Sequence, residues 1–135
     1  MAAKSKKSPA RKKSASPRKR SASTPRGMAD EVARIIDDHK GIDIEILDVS
    51  KKSPITSFLV ICTGTSVVHL RTIAQAVRDH YKKKGRATPA WSGSVQSNWL
   101  ILDLGGVIVH AMGHEARAFY GLETLWGRSG ITYHL

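Results

Sequence analysis

Two apolar runs, Trp99 to Leu104 and Val107 to Met112, flank the pair Gly105-Gly106, and no other stretch of the chain narrows the choice of fold as much. Paired glycines tolerate the positive φ angles of a primed two-residue turn, so the segment predicts a β-hairpin. Only Asp103 and His110 interrupt the large apolar residues, so the hairpin is expected to be covered on much of both faces, in the middle of a domain. After Gly113 the period changes. Ala118, Phe119, Leu122, Leu125 and Trp126 recur at helical spacing, and Glu115 stands in the first turn, where the helix dipole favours an acid. This pattern predicts one helix packed back on the hairpin.

Upstream, Val32, Ile35, Ile36 and His39 give one face of a helix that starts near Ala29, has Asp30 and Glu31 in its first turn and stops before Gly41. Ile42, Ile44 and Ile46 alternate with Asp43 and Glu45, the period-two signature of a half-exposed strand toward a sheet edge, with both acids on its solvent side. The turn from Ser50 to Pro54 leads into a buried strand around Phe58 to Cys62, paired antiparallel with the first. Ser66 is placed to cap a helix carrying Val67, Leu70, Ile73, Ala74 and Val77 through Tyr81, which Gly85 stops. A short strand is expected at Ala87 to Trp91, locally parallel to the strand before the helix by the right-handed crossover rule. The order α-β-β-α-β-β-β-α describes a single α/β domain with a mixed sheet of about five strands flanked by helices. It occupies residues 28–127. The short C-terminal tail, 128–135, shows no pattern.

The net charge of +11 is spread unevenly. Residues 1–27 hold ten of the 22 Lys and Arg and no acid, leaving 12 basic against 11 acidic residues for the remainder. The N-terminal segment has no Val, Ile, Leu or aromatic residue, so it buries too little apolar surface to offset the entropy of ordering and is expected to be disordered. Pro9, Pro17 and Pro25 each follow Ser or Thr at eight-residue intervals, with a basic residue close behind. Such a polycation is drawn to phosphate by counterion release, with Arg11, Lys12, Lys13, Arg18, Lys19 and Arg20 as candidate RNA contacts. A solvated extension and a transit peptide are the competing readings, the latter weakened by the missing apolar helix face.

Cys62 is the only cysteine and sits in an apolar run, so no intrachain disulfide forms and a reducing compartment is expected. No apolar stretch approaches the roughly 18 to 20 residues that span a bilayer, so no membrane partner is expected.

Several residues suggest chemistry, each beside a plainer role. Thr63-Gly64-Thr65-Ser66, between a strand and a helix, could cradle an anion, but no phosphate-loop or dinucleotide motif accompanies it. Two-metal phosphoryl transfer needs paired carboxylates; Asp103 stands alone, and Asp43 and Glu45 share a strand face but more simply form its solvent side than a metal site. His110 and His114 are four apart with Glu115 adjacent, but one ends a strand and the other starts a helix across Gly113, so helical i, i+4 alignment is absent; no Cys is near, and they are read as packed histidines with no metal expected. Asp103 and His110 can meet across the hairpin as a structural polar pair. Lys82, Lys83 and Lys84 suit a helix C-terminus and also a phosphate-binding patch. Tyr120, Glu123 and Trp126 fall at i, i+3, i+6, either as core edge or as anchors of a protein interface.

The runs ICTGTS at Ile61 to Ser66, WLILDLGGVIVH at Trp99 to His110 and EARAFYGLETLW at Glu115 to Trp126 resemble the RsfS/Iojap family of ribosomal silencing factors. The resemblance implies a nucleotidyltransferase-like α/β fold in a cytoplasmic binding protein with no catalysis and no cofactor. It implies a function of binding a large-subunit ribosomal protein at the subunit interface, so blocking association with the small subunit and repressing translation under nutrient limitation. By motif position it implies a partner-binding surface of Trp99, Asp103, His110, Arg117, Tyr120, Glu123, Leu125 and Trp126. Two departures weaken acidic contributions: Ser92 stands where the family usually has an acid before the glycine at Gly93, and Gly106 where a polar residue is common. The basic tail lies outside the resemblance and is expected to touch ribosomal RNA. A homodimer through the hairpin or a sheet edge is compatible with the pattern. The alternatives are a nucleotidyltransferase-like enzyme and a nucleic-acid-binding protein acting through its tail.

Overall fold

A computed structural model describes residues 24–85, 91–94, 96–126 and 131–134, with only the backbone of Trp91, Leu125, Trp126 and 131–134. The tail cations from Arg11 to Arg20 lie outside the described residues. The elements run α1 (Pro25–Asp38), β1 (Ile42–Asp48), β2 (Phe58–Gly64), α2 (Val67–Lys83), β3 (Trp91–Ser94), β4 (Trp99–Asp103), β5 (Val107–Gly113), α3 (His114–Tyr120), α4 (Leu122–Trp126) and β6 (Ile131–His134). One six-stranded sheet has the order β3-β4-β5-β2-β1-β6.

The expected hairpin is β4–β5, antiparallel with Leu100 opposite Ala111 and Leu102 opposite Val109. Of its two glycines only Gly105 takes a positive φ (92°). The Gly106 carbonyl accepts from the Ser57 and Phe58 amides at 3.0 and 3.1 Å, which ties the turn to the start of β2. β2 pairs parallel with β5 and antiparallel with β1, and every residue of β2 is buried. Its alternation feeds two cores. Phe58, Val60 and Cys62 join Val107, Val109 and Ala111 beneath α1 and α2, while Leu59 and Ile61 join Leu47, Met112 and Leu122 on the opposite face. Burial pushes the Cys62 thiol up to about 12, so it behaves as a small apolar residue.

Several expectations are corrected. α1 opens at Pro25 rather than Ala29, because Thr24 caps it: its hydroxyl accepts from the Gly27 amide at 3.0 Å, and Pro25 supplies the fixed φ suited to the first helical position. Asp30 and Glu31 therefore lie beyond the first turn. The third strand, described over Trp91–Ser94, runs beyond its expected end at Trp91, and residues 87–90 lie outside the described residues; it runs in the same sense as β2, as the crossover rule requires, but pairs with β4, while β5 takes the place beside β2. β1 does lie toward a sheet edge, but β6 pairs antiparallel outside it and forms the edge itself. That sixth strand comes from a segment without a legible pattern.

Glu45 is buried rather than on a solvent side. Asp43 adopts φ 50°, the register slips between Ile42 and Glu45, and the resulting bulge separates the two acids that simple alternation would pair. The final helix is not continuous. Gly121 takes φ 56°, a left-handed cap that ends α3 after seven residues and lets α4 restart at Leu122.

Candidate docking face

The break at Gly121 decides which side chains face solvent. α3 has no buried residue, and Phe119, expected in the core, is 82% exposed. A seven-residue helix cannot cover the hairpin's second face, so Trp99, Ile101 and Ile108 remain half-buried there, correcting the expectation of cover on both sides. Tyr120, 45% exposed, packs its ring 4.4 Å from that of Trp99, and Phe119 meets Tyr120 edge-on at 5.0 Å. The result is an aromatic rim of Trp99, Tyr120 and Phe119 bordering half-open apolar sheet.

His110 holds the rim's inner member. Trp99 and Asp103 lie two residues either side of Ile101, which is opposite His110, so each could reach the imidazole diagonally. Trp99 takes it: its indole N–H donates to His110 Nδ1 at 3.0 Å. An indole can only donate, so Nδ1 is the unprotonated nitrogen and the ring is neutral. Burial pushes its pKa down to about 4. Asp103 instead accepts from the Gly105 amide at 2.8 Å and shapes its own turn, so no Asp103–His110 pair forms.

Arg117 and Glu123, expected at the contact surface, are largely turned inward. The Arg117 side chain is 10% exposed, and its Nε donates to Glu123 Oε2 at 2.8 Å. Its Nη1 donates to the Asp43 carbonyl at 2.6 Å and to Thr63 Oγ1 at 2.9 Å, while Nη2 lies 3.7 Å from Glu45 Oε1. One cation thus joins α3, α4, β1 and β2 and neutralises a carboxylate that the bulge places in the interior. Leu125 and Trp126 fall on α4, with side chains outside the described residues. Phe119 of the rim, and Ile101 and Ile108 of the half-open sheet beside it, are the residues that sequence reasoning missed; the Tyr-Gly step at residues 120–121 was the available signal for a helix stop.

At the carboxyl ends of β2 and β5 the chain departs to opposite faces, into α2 and α3, leaving a crevice lined by Thr63 to Ser66, Asn98 and His114. In open α/β sheets this is where ligands bind. Here two donors are already committed: the Thr65 amide donates to His69 Nδ1 at 2.9 Å and the His69 amide to Ser66 Oγ at 3.0 Å. Among the described residues no group of three or more His, Cys, Asp or Glu is arranged to hold a metal ion. None of their helices is long and apolar enough to cross a membrane.

Of the lysine triplet, Lys84 is paired with Glu31 at 3.0 Å, while Lys82 and Lys83 are exposed in the last turn of α2.

A family model described as "Ribosomal silencing factor during starvation" matches residues 21–133. The chain is 42% identical over 91 residues to the ribosomal silencing factor RsfS of Haemophilus influenzae, covering 67% of this chain and 89% of that protein. It is 39% identical over 101 residues to an Iojap-related mitochondrial protein of Arabidopsis thaliana, covering 71% and 54% respectively. Among solved structures, a Chromobacterium violaceum protein superposes with a TM-score of 0.69 at 30% identity, covering 75% of this chain and 85% of that one. A Bacillus halodurans protein gives 0.66 at 29%, covering 75% and 94%. Fold and sequence agree on a class of small mixed-sheet α/β proteins whose relatives are ribosomal silencing factors. The chain belongs to the RsfS family.

Proposed function

We propose that this chain is a translation regulator that acts by occlusion in the cytoplasm: it docks on a ribosomal protein at the subunit interface of the large subunit and blocks association with the small subunit when nutrients are scarce. The observation that carries this reading is the exposed rim of Phe119 and Tyr120, continuous with Trp99 over half-buried sheet. Large aromatics held rigidly beside apolar surface are the usual anchors of a protein interface. No bond need be made or broken. His110 keeps the indole in place, Arg117 with Glu123 keeps α3 on the sheet, and both act as positioning groups rather than contacts. The tail and the lysines at the end of α2 add attraction to ribosomal RNA.

Purified subunits mixed with increasing protein test this. Joining should fall as protein saturates the large subunit, and the double variant Phe119→Ser/Tyr120→Ser, checked for native circular dichroism, should lose the effect. Unimpeded joining at saturating wild-type protein would overturn the reading.

A further inference from the structure

Exposed apolar side chains are not spread evenly over the domain. Among the described residues the large ones are Ile42, Ile55, Val67, Val68, Phe119 and Tyr120, and all but Ile55 stand at the carboxyl ends of β2 and β5. Ile42 pairs opposite Thr63, Val67 and Val68 open α2 just after β2, and Phe119 and Tyr120 close α3, which starts where β5 ends. Because α2 and α3 leave to opposite faces, the crevice has an apolar lip on each side: the aromatic rim on one, Ile42, Val67 and Val68 on the other. The second lip is held in place. His69 Nδ1 accepts from the Thr65 amide, so its Nε2 carries the proton and donates to the His39 carbonyl at 2.8 Å, tying the first turn of α2 to the end of α1.

Between the lips the lining is acidic. The crevice has a volume of about 270 Å³, and among the described residues it is lined by Asp43 and Glu115 but by no Lys or Arg. The adjoining cleft, which shares Asp43, Thr63 and His114 with it, adds Glu45 and Glu123 against the single cation Arg117. An anion finds little here, since the Thr65 and His69 amides are already spent. A lysine or arginine finds carboxylates, and the space suits one long side chain while falling below the roughly 300 to 1,000 Å³ of small-molecule sites. The rim and the half-open sheet supply only Trp99, Ile101, Ile108, Phe119 and Tyr120, against roughly 20 to 30 residues a side in a stable protein interface. A partner seated there must reach further, and Asn98, which lines the crevice, directly precedes Trp99.

We propose that the docking partner straddles this end of the sheet, resting apolar side chains on the rim and on Val67 and Val68 of α2 and lowering a lysine or arginine into the crevice against Asp43 and Glu115. The inference rests on the reading of the chain as a large-subunit docking factor and specifies the chemistry of the partner: a loop of a basic protein with apolar residues beside the cation. A ribosomal protein fits, because a protein seated on ribosomal RNA carries the Lys and Arg that neutralise phosphates. RNA itself does not, since its phosphates would meet the carboxylates. Seated lips exclude water from around the ion pair, where the attraction is stronger than at an open surface. Ile55, alone at the opposite end, takes no part.

Co-sedimentation of the full chain with purified large subunits across a salt series tests this. Val68→Asp, at a position 70% exposed, should weaken binding about tenfold. Asp43→Asn combined with Glu115→Gln should weaken it about fivefold and make it less sensitive to salt. Asparagine tolerates the φ of 50° at position 43 and keeps the carbonyl that receives Arg117. Ile55→Asp should bind within about twofold of the parent. A benzophenone carried on Val68→Cys, with Cys62 buried and unlabelled, should cross-link a ribosomal protein, the same one reached from Tyr120→Cys. If Val68→Asp and the double variant are natively folded and bind like the parent, the straddling mode is overturned while the docking reading stands; cross-linking to ribosomal RNA alone overturns the choice of occupant. A parent chain that does not sediment with large subunits overturns the docking reading itself, and this partner with it.

Discussion

His110 shows how one hydrogen bond fixes both a surface and a pH response. Its folded-state pKa, near 4, lies below the ordinary 6.5, so acid protonates the unfolded chain first. Stability is therefore whole above about pH 7 and declines as pH falls from 6.5 toward 4. A pKa gap of this order predicts about 2 kcal/mol less unfolding free energy at pH 5 than at pH 7.5. Urea unfolding at the two pH values measures it, and in His110→Gln the difference should largely vanish. Arg117 has the opposite character, a buried cation already matched by Glu123 and Glu45. Removing it strands carboxylates in the interior, so Arg117→Met should cost about 3 kcal/mol in denaturant unfolding.

At the scale of elements, the break between α3 and α4 determines what the protein displays. A Cβ at Gly121 meets nothing within 4 Å, so the cost of Gly121→Ala comes from φ 56° alone, about 1 kcal/mol by denaturation. Because the substitution favours an unbroken helix, it should also alter the near-ultraviolet circular dichroism of the Trp99–Tyr120 pair. The elements legible in the sequence were those written in local chemistry: the hairpin in its paired glycines, and α2 in the Ser66 cap, whose hydroxyl accepts from the His69 amide, and in the Gly85 stop. The others depend on distant partners. Helical spacing continues across Gly121 and conceals the break. The alternation of β1 gives no sign of a bulge, and Glu45 reads as solvent-facing until Arg117, far along the chain, arrives beside it. β6 is a strand because β1 offers an edge, not because Ile131–His134 announces one. The aromatic rim accordingly falls within the segment that the motifs single out, but the exposure of its members differs from the expectation: Phe119 is outside, and Arg117 and Glu123 are largely inside.

For the whole molecule, docking and stability are separable. Phe119 contributes almost nothing to the core, so Phe119→Ser should shift unfolding by less than about 0.5 kcal/mol while weakening co-sedimentation with large subunits about tenfold. Truncation before Ile131 should do the reverse to the sheet's outer side, exposing the unpaired edge of β1 and promoting self-association visible by light scattering. The sheet order also governs how the molecule is made. Its central parallel pair joins Phe58–Gly64 to Val107–Gly113, with α2, β3 and β4 lying between them in the chain. The β4–β5 hairpin can close within about 10 microseconds, but its registration on β2 must await a long loop closure, the kind of step that moves folding toward milliseconds and beyond. During that wait β5 has one open edge, so the speed with which a newly made chain becomes competent is set by how soon β2 finds it.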